Sequence, residues 1–400
     1  MSLRIIERRC DEVSIANAGN IARCFFSACV VVATCFIAGC GGGGGGGQEP
    51  LRGASPLVSA TRDPYQQPFS STSIWNMPIG SNAAYVPANI PAIPYTADEW
   101  APMPHIDKDI VVLTPGAPLT DVNYSSAAWT GADRCGASGG VLFQVPIPRD
   151  YIVPNNNGNA STVFLQSDGR TLLHTQPFTR CTAGAAGTTL TGTSDFPPVD
   201  LYGDGIRGSH GGSGLSAIGG TLRMGELRPG GQGPAHALKV AVYSALVLSR
   251  CPVISDCYRW PADRADSDAT SSYGSQRENT SAMKMGALLA IPTFTDISTL
   301  GLETEPAKQL AWTLQNYGAY IDDTQPEPSF IINAEVGPNG SFLTQFEDDW
   351  GFPIEQRVRD DSPWTRDMQR LMTALHVVDN NSPTSIGGGG APLQPLAAPI

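Results

Sequence analysis

The chain has 400 residues, with 25 Lys+Arg against 37 Asp+Glu and a formal net charge of −12. No basic cluster follows the N-terminal segment, which argues against nucleic acid as a partner, because phosphate binding needs concentrated Lys and Arg. The 44 glycines and 33 prolines are spread along the chain, a punctuation that predicts short elements joined by many turns, as in β-rich folds.

At the N-terminus, Arg4, Arg8, Arg9 and Arg23 precede an apolar run from Phe25 to Ala38. This is the charged region and short hydrophobic region of a secretory signal, too short to span a membrane. The run ends in Phe36-Ile37-Ala38-Gly39-Cys40, followed by glycine from 41 to 47. Small residues directly before a cysteine in this setting resemble the bacterial lipobox. The resemblance implies cleavage before Cys40, diacylglycerol on its sulfur, and a protein held by several acyl chains on the exported side of a bacterial cell envelope, with the outer membrane as one candidate. Residues 1–39 are then a signal peptide, 40–62 a Gly-rich tether and 63–379 a single globular body. Residues 380–400, rich in Gly, Pro, Ser and Ala and without a periodic apolar face, are expected to form a disordered tail.

Nine cysteines reduce to four once the signal leaves with Cys10, Cys24, Cys29 and Cys35 and Cys40 takes lipid. Cys135, Cys181, Cys251 and Cys257 form an even set, which in an exported chain favours two disulfides. Cys251 and Cys257 are close, with Pro252 between them, and suggest a local closure that leaves Cys135 to Cys181 as the long link. No C-x-x-C occurs and no histidine lies near either pair, so these cysteines are not expected to bind metal.

In chain order, strands are predicted at Ile110–Leu113, Val141–Pro146, Thr162–Gln166, Thr171–Thr175, His236–Leu248 and Ser329–Ala334. Asp168-Gly169 between the third and fourth suits a type I′ hairpin. Thr304 is placed to cap a helix with Pro306 in its first turn, Leu310 and Leu314 on its apolar stripe and Gly318 at its end. Ser362-Pro363 opens a second helix, striped by Met368, Leu371, Met372 and Leu375 and ending at Asn380 or Asn381. The expected fold class is mainly β: a β-sandwich or jelly-roll-like domain with two or more packed helices.

Chemistry-bearing residues are densest from Asp200 to His236. There Asp204, Arg207, Ser209, His210, Arg223, Glu226 and His236 are interspersed with glycines that let backbone and side chains approach a ligand closely. The strings "PFSSTSIWNMPI", "GSGLSAIGGTLRMGEL" followed by "HALKV", "YRWPA" and "LQNYGAYIDD" resemble recurring blocks of a broad group of secreted bacterial and fungal proteins without an assigned activity. That resemblance spans about Pro68 to Ala334 and singles out Ser213, Gly214, Glu226, His236 and Trp260. The sequence departs from the group at His210, which falls in a variable stretch, and at Asp322 to Phe330, which carries an extra proline-rich turn.

Glu226 and His236, with Arg223 beside them, are the candidate acid/base residues, because a carboxylate and an imidazole are the side chains most readily tuned toward neutral pH. Trp260, Ser213, Arg207 and His210 are the candidate substrate-binding residues. Asp168 and Asp204 are candidate second carboxylates for glycosidic cleavage, and each also reads as a turn residue. Gly136-Ala137-Ser138-Gly139-Gly140 matches the G-x-S-x-G elbow of hydrolases, but a strand rather than a helix is predicted to follow it. No cofactor is expected, apart from calcium on Asp263, Asp266 and Asp268, where a turn glycine and a closing glutamate are missing. Trp75, Trp100, Trp129 and Trp260 lie in Pro/Gly-rich surroundings suited to a core plug or a sugar platform.

The functional expectation is a surface-tethered lipoprotein that cleaves an extracellular carbohydrate by acid/base chemistry. The alternatives are a non-catalytic glycan-binding or envelope-scaffold lipoprotein and a serine esterase acting through Ser138.

Overall fold

The computed structural model describes residues 61–93, 104–155, 158–325 and 327–400; Cys40, the signal before it, the heptaglycine and Trp100 lie outside the described residues. The strands are β1 (Tyr85–Pro87), β2 (His105–Val112), β3 (Leu119–Tyr124), β4 (Val141–Pro146), β5 (Thr162–Leu165), β6 (Thr171–Thr175), β7 (Phe178–Thr179) and β8 (Gly187–Thr189). They continue with β9 (Val199–Asp200), β10 (Leu238–Tyr243), β11 (Leu288–Ala290), β12 (Ala319–Gln325), β13 (Phe330–Gly337), β14 (Gly340–Ser341) and β15 (His376–Val378). The helices are α1 (Ser244–Val247), α2 (Ala269–Ser272), α3 (Glu305–Asn316), α4 (Phe342–Trp350) and α5 (Pro363–Thr373).

The protein is mainly β. A large sheet of eleven strands runs β1-β15-β11-β12-β10-β13-β2-β5-β6-β9, with β14 paired to β13. It is mixed: β10 runs parallel to β12, β13 to β2 and β2 to β5, while the other neighbours are antiparallel. A second sheet runs β4-β3-β8-β7.

Alternation along the central strands separates the two faces of the large sheet. Ile110, Val112 and Phe164 pack against Val122, Val145 and Phe178 of the small sheet. Val111, Val163 and Leu165 point the other way, onto Phe69, Ile74, Trp75 and the Leu215–Ile218 segment. Further along, Ile321, Leu289 and Ile332 meet Leu310 and Leu314 of α3, Phe346 of α4 and Met368 and Leu371 of α5. Helices and the small sheet therefore cover one face, and glycine-rich coil covers the other.

Helix α3 forms where its signals place it, with Thr304 at the N-cap and Pro306 in the first turn. Helix α5 also starts as expected, the Ser362 side chain accepting from the Thr365 amide, but it ends at Thr373, because His376–Val378 leaves the helix to pair with β1 and β11. The strand expected over His236–Leu248 stops at Tyr243 and turns into α1. Its residues are buried on both faces, Lys239 included, as befits a central strand, so alternation could not mark its end. Helix α4 went unpredicted. At the β5–β6 hairpin Gly169 has φ of 69° and Asp168 does not have positive φ, so the type I′ turn gives way to a longer loop. Asp168 holds that loop by accepting from the Arg170 and Thr171 amides.

Residues 380–400 correct the expectation of a disordered tail. Leu393 donates to Ile79 O at 2.9 Å, Ser81 to Ala391 O at 2.8 Å and Arg62 to Pro399 O at 3.1 Å. Gly387 has φ of 66° and passes so near the backbone that a Cβ there would come within 2.5 Å of Pro78 O. Backbone hydrogen bonds anchor this segment, and hydropathy does not register them.

Both expected disulfides are present: Cys135–Cys181, 46 residues apart, and Cys251–Cys257, 6 apart.

Candidate functional site

The sequence-predicted pair does meet. His236 Nε2 lies 2.9 Å from Glu226 Oε1, and His236 Nδ1 lies 2.9 Å from Ala237 O. Both ring nitrogens thus face oxygen acceptors, an arrangement that suits the doubly protonated ring. Burial opposes that charge, but Glu226 outweighs it and holds the His236 pKa above its ordinary value. The rest of the group is also engaged: the Arg223 amide donates to Glu226 Oε2 at 2.7 Å, and Arg223 Nε donates to Glu335 Oε2 at 2.7 Å. The crevice beside His236 and Arg223 encloses about 10 Å³, room for about one water molecule and none for a sugar ring.

The other candidates are dispersed. Arg207 and Arg264 both pair with Asp263, at 2.8 Å each. Ser213 is fully buried and its hydroxyl accepts from the Leu215 amide. Trp260, half-buried, packs at the edge of the Trp75 core and precedes a cis proline. Asp266 accepts from Tyr273 and Thr324 hydroxyls, and the Asp268 carbonyl receives the turn of α2. Those contacts spread the three aspartates expected to hold calcium among separate partners. Asp204 is exposed and accepts from the Ile206 amide. The Ser138 hydroxyl, also exposed, accepts from the Ser126 amide and donates to the Ser126 hydroxyl. Trp75 is a core plug, its indole N–H donating to Gly205 O, and Trp129 is half exposed.

His210 has a different setting. The chain from Arg207 to Leu215 closes on itself through Gly208 N to Gly214 O, His210 N to Leu215 O and Gly214 N to His210 O, and Gly214 has φ of 74°. This tight loop drives the imidazole into the sheet. Nε2 lies 2.6 Å from Asp109 Oδ1 of β2. The other Asp109 oxygen takes Lys239 Nζ at 3.0 Å and the Thr221 hydroxyl at 2.5 Å. Asp109, Lys239 and His210 are all fully buried. Burial pushes the Asp109 pKa up, but Lys239 and His210 overcome it and hold the carboxyl below its usual range.

On the other side of the ring, His210 Nδ1 stands 3.2 Å from Asp322 Oδ2. The contact is out of line for a hydrogen bond, and neither Nδ1 nor either Asp322 oxygen has a hydrogen-bond partner. Burial and Lys239 pull the His210 pKa down, and Asp109 and Asp322 more than offset them, leaving it at about 9. Burial pushes Asp322 up to about 6, despite His210 and Lys239.

Asp323 comes next in the chain and Asp107 precedes Asp109 by two, on the same side of β2. Asn159 Nδ2 donates to both, at 3.2 Å to Asp107 Oδ2 and 2.9 Å to Asp323 Oδ2. Asp107, His210 and Asp323 each bring one ligand atom to within 4.8 Å of the others. Burial, with Asp266 and Asp322 nearby, holds the Asp323 pKa well above the carboxylate range. Gly212 passes directly over this group, where a Cβ would lie 2.7 Å from Asp323 Oδ1.

Asp107, Asp323 and Asn159 line a cavity of about 820 Å³ whose walls also include His105, Lys108, Tyr151, Ile331 and Glu355. The His105 pKa is raised, first by its hydrogen bond with Glu355, which lies 2.7 Å away. Among these residues the sequence reading had singled out His210 alone. The signals it passed over were Asp107 and Asp109 alternating in "HIDKDIVV" and the acidic doublet in "AYIDDTQ", charges inside otherwise apolar strands. No family model, curated protein or solved structure matches the chain.

Proposed function

We propose that the protein acts on an extracellular carbohydrate from a lipid anchor on Cys40, and that bond cleavage takes place where Asp107 and Asp323 line the 820 Å³ cavity. One observation carries the reading: two carboxylates, Asp107 and Asp323, are held side by side by Asn159 where a cavity of this size reaches them. A volume in this range accommodates small ligands, and glycosidic cleavage ordinarily draws on two carboxyl groups at the scissile bond. The net charge of −12 favours a neutral glycan over a polyanion. Glu226 and His236, mutually satisfied beside a crevice of about 10 Å³, then serve the fold.

The test is a product-release screen of neutral and uronate polysaccharides with the native protein, Asp107→Asn and Asp323→Asn. Cleavage lost about 10²-fold or more in both variants, with unchanged melting, supports the reading. Glycan binding without products would make the cavity a binding module, and turnover untouched by either variant would place the chemistry elsewhere. Metabolic labelling with a palmitate analogue tests the anchor, which predicts no label on Cys40→Ser.

A further inference from the structure

We propose that Asp107, His210 and Asp323 form a binding site for a divalent transition-metal ion, with Zn²⁺ or Mn²⁺ as its class of occupant. The proposal goes beyond the carbohydrate reading and does not depend on it. Three observations converge. The ligand atoms of these residues already lie within 4.8 Å of one another, on strand β2, strand β12 and the His210 loop; bonds of about 2.1 Å would draw them to roughly 3.4 Å apart, a small contraction. Independently, His210 Nδ1 and both oxygens of Asp322 are fully buried and have no hydrogen-bond partner. A polar group left so is costly unless something compensates it. A cation on Nδ1 would satisfy the ring and set a positive charge beside the Asp322 carboxylate, 3.2 Å away. Lastly, Asp109 receives Nε2 at 2.6 Å and is itself fixed by Lys239 and Thr221. A carboxylate behind the far nitrogen of a ligating imidazole is the arrangement that orients metal-binding histidines.

The donor set names the class of ion. An imidazole nitrogen disfavours Ca²⁺ and Mg²⁺, which take oxygen, and the absence of thiolate disfavours the softest ions. Asp107 and Asp323 line the cavity while His210 stays buried behind them, so three protein ligands leave a position open toward the cavity for water. With an ion bound, Asp107 and Asp323 would serve as its ligands, and the ion would hold and polarise a water at the open position. Binding displaces the proton from Nδ1, so protons are released.

The experiment is calorimetric titration of chelator-treated native protein with Zn²⁺, and with Mn²⁺ and Ca²⁺ in parallel, in two buffers of different ionisation heat. The expected result is one Zn²⁺ or Mn²⁺ per chain, proton release, a higher melting temperature, and affinity reduced about 100-fold or more in Asp323→Asn. His210→Gln tests the imidazole directly; since it is buried and the variant may fail to fold, the half-buried Asp107→Asn gives the same readout. His236→Gln should bind normally. No saturable binding, or binding that Asp107→Asn and Asp323→Asn leave intact, overturns the proposal. A glycan screen that fails while the ion binds leaves the metal site standing and removes only the carbohydrate reading.

Discussion

Asp322 and Asp323 are consecutive on β12, yet both belong to the cluster around His210, because the strand takes one extra residue opposite β10. Val240 pairs with Ile321 and Ala241 with Asp323, so Asp322 is left out of the ladder. In a regular strand the two side chains would point to opposite faces. Bulges of this kind recur beside active sites, where they re-aim a side chain.

Close passage of the glycine loop over the bulge gives the first prediction. Gly212→Ala would set a methyl group 2.7 Å from Asp323 Oδ1 and 3.2 Å from the Cε of buried Met285, forcing the carboxylate aside while the flexible methionine end gives by a few tenths of an ångström. Cleavage and metal affinity should both fall at least tenfold, with at most a small drop in melting from the contact with Met285. Kinetics, titration and a melting curve check it.

Lys239 is the buried cation that balances Asp109, and both are fully buried. Lys239→Met should cost about 3–5 kcal/mol, because it strands a buried charge. Asp109→Asn combined with Lys239→Met should cost less than the single change. Urea denaturation of these two variants beside the native protein measures both costs.

For His236 the folded pKa lies above the unfolded value of 6.5, held there by Glu226 against burial. A raised value means that the pair stabilises fully below about pH 6.5 and that this contribution is lost as pH rises through the folded value. The melting difference between the native protein and His236→Gln should therefore shrink steadily above about pH 6.5. Breaking the pair should cost about 1–3 kcal/mol at the acid end. A difference that stays constant across this range would contradict the pairing.

The two disulfides should differ in weight. The chain-entropy account assigns a loop of 46 residues about 4 kcal/mol and one of 6 about 2 kcal/mol. Replacing Cys135 and Cys181 by serine should thus lower stability more than replacing Cys251 and Cys257. Native peptide mapping should find no free thiol among these four.

Much of this fold was legible from local signals. Strands β4 and β6 appear with the expected bounds, α3 begins at its Thr304 cap, and the cysteine arithmetic gives both disulfides. What was missed depends on partners distant in sequence. The docking of residues 380–400 rests on backbone bonds to residues such as Ile79 and Ser81. The site is assembled from β2, the His210 loop and β12, with Asp109 and His210 101 residues apart, and spacing along the chain carries no trace of that meeting. Glu226 and His236 were the more conspicuous pair because only 10 residues separate them. Yet their proximity closes the crevice instead of opening a site. Charge inside apolar strands is the signal that marks the site, since Asp109, Lys239 and Asp322 can be buried there only with partners to receive them.

The most direct measurement compares product release by Asp323→Asn and Glu226→Gln on the glycan that the native protein cleaves. Reaction at the Asp107 and Asp323 carboxylates that line the cavity predicts that Asp323→Asn loses about 10²-fold or more in kcat while Glu226→Gln, once folded, turns over at near the native rate. Near-native turnover by Asp323→Asn together with a collapse in folded Glu226→Gln would contradict it and return the chemistry to the Glu226–His236 pair.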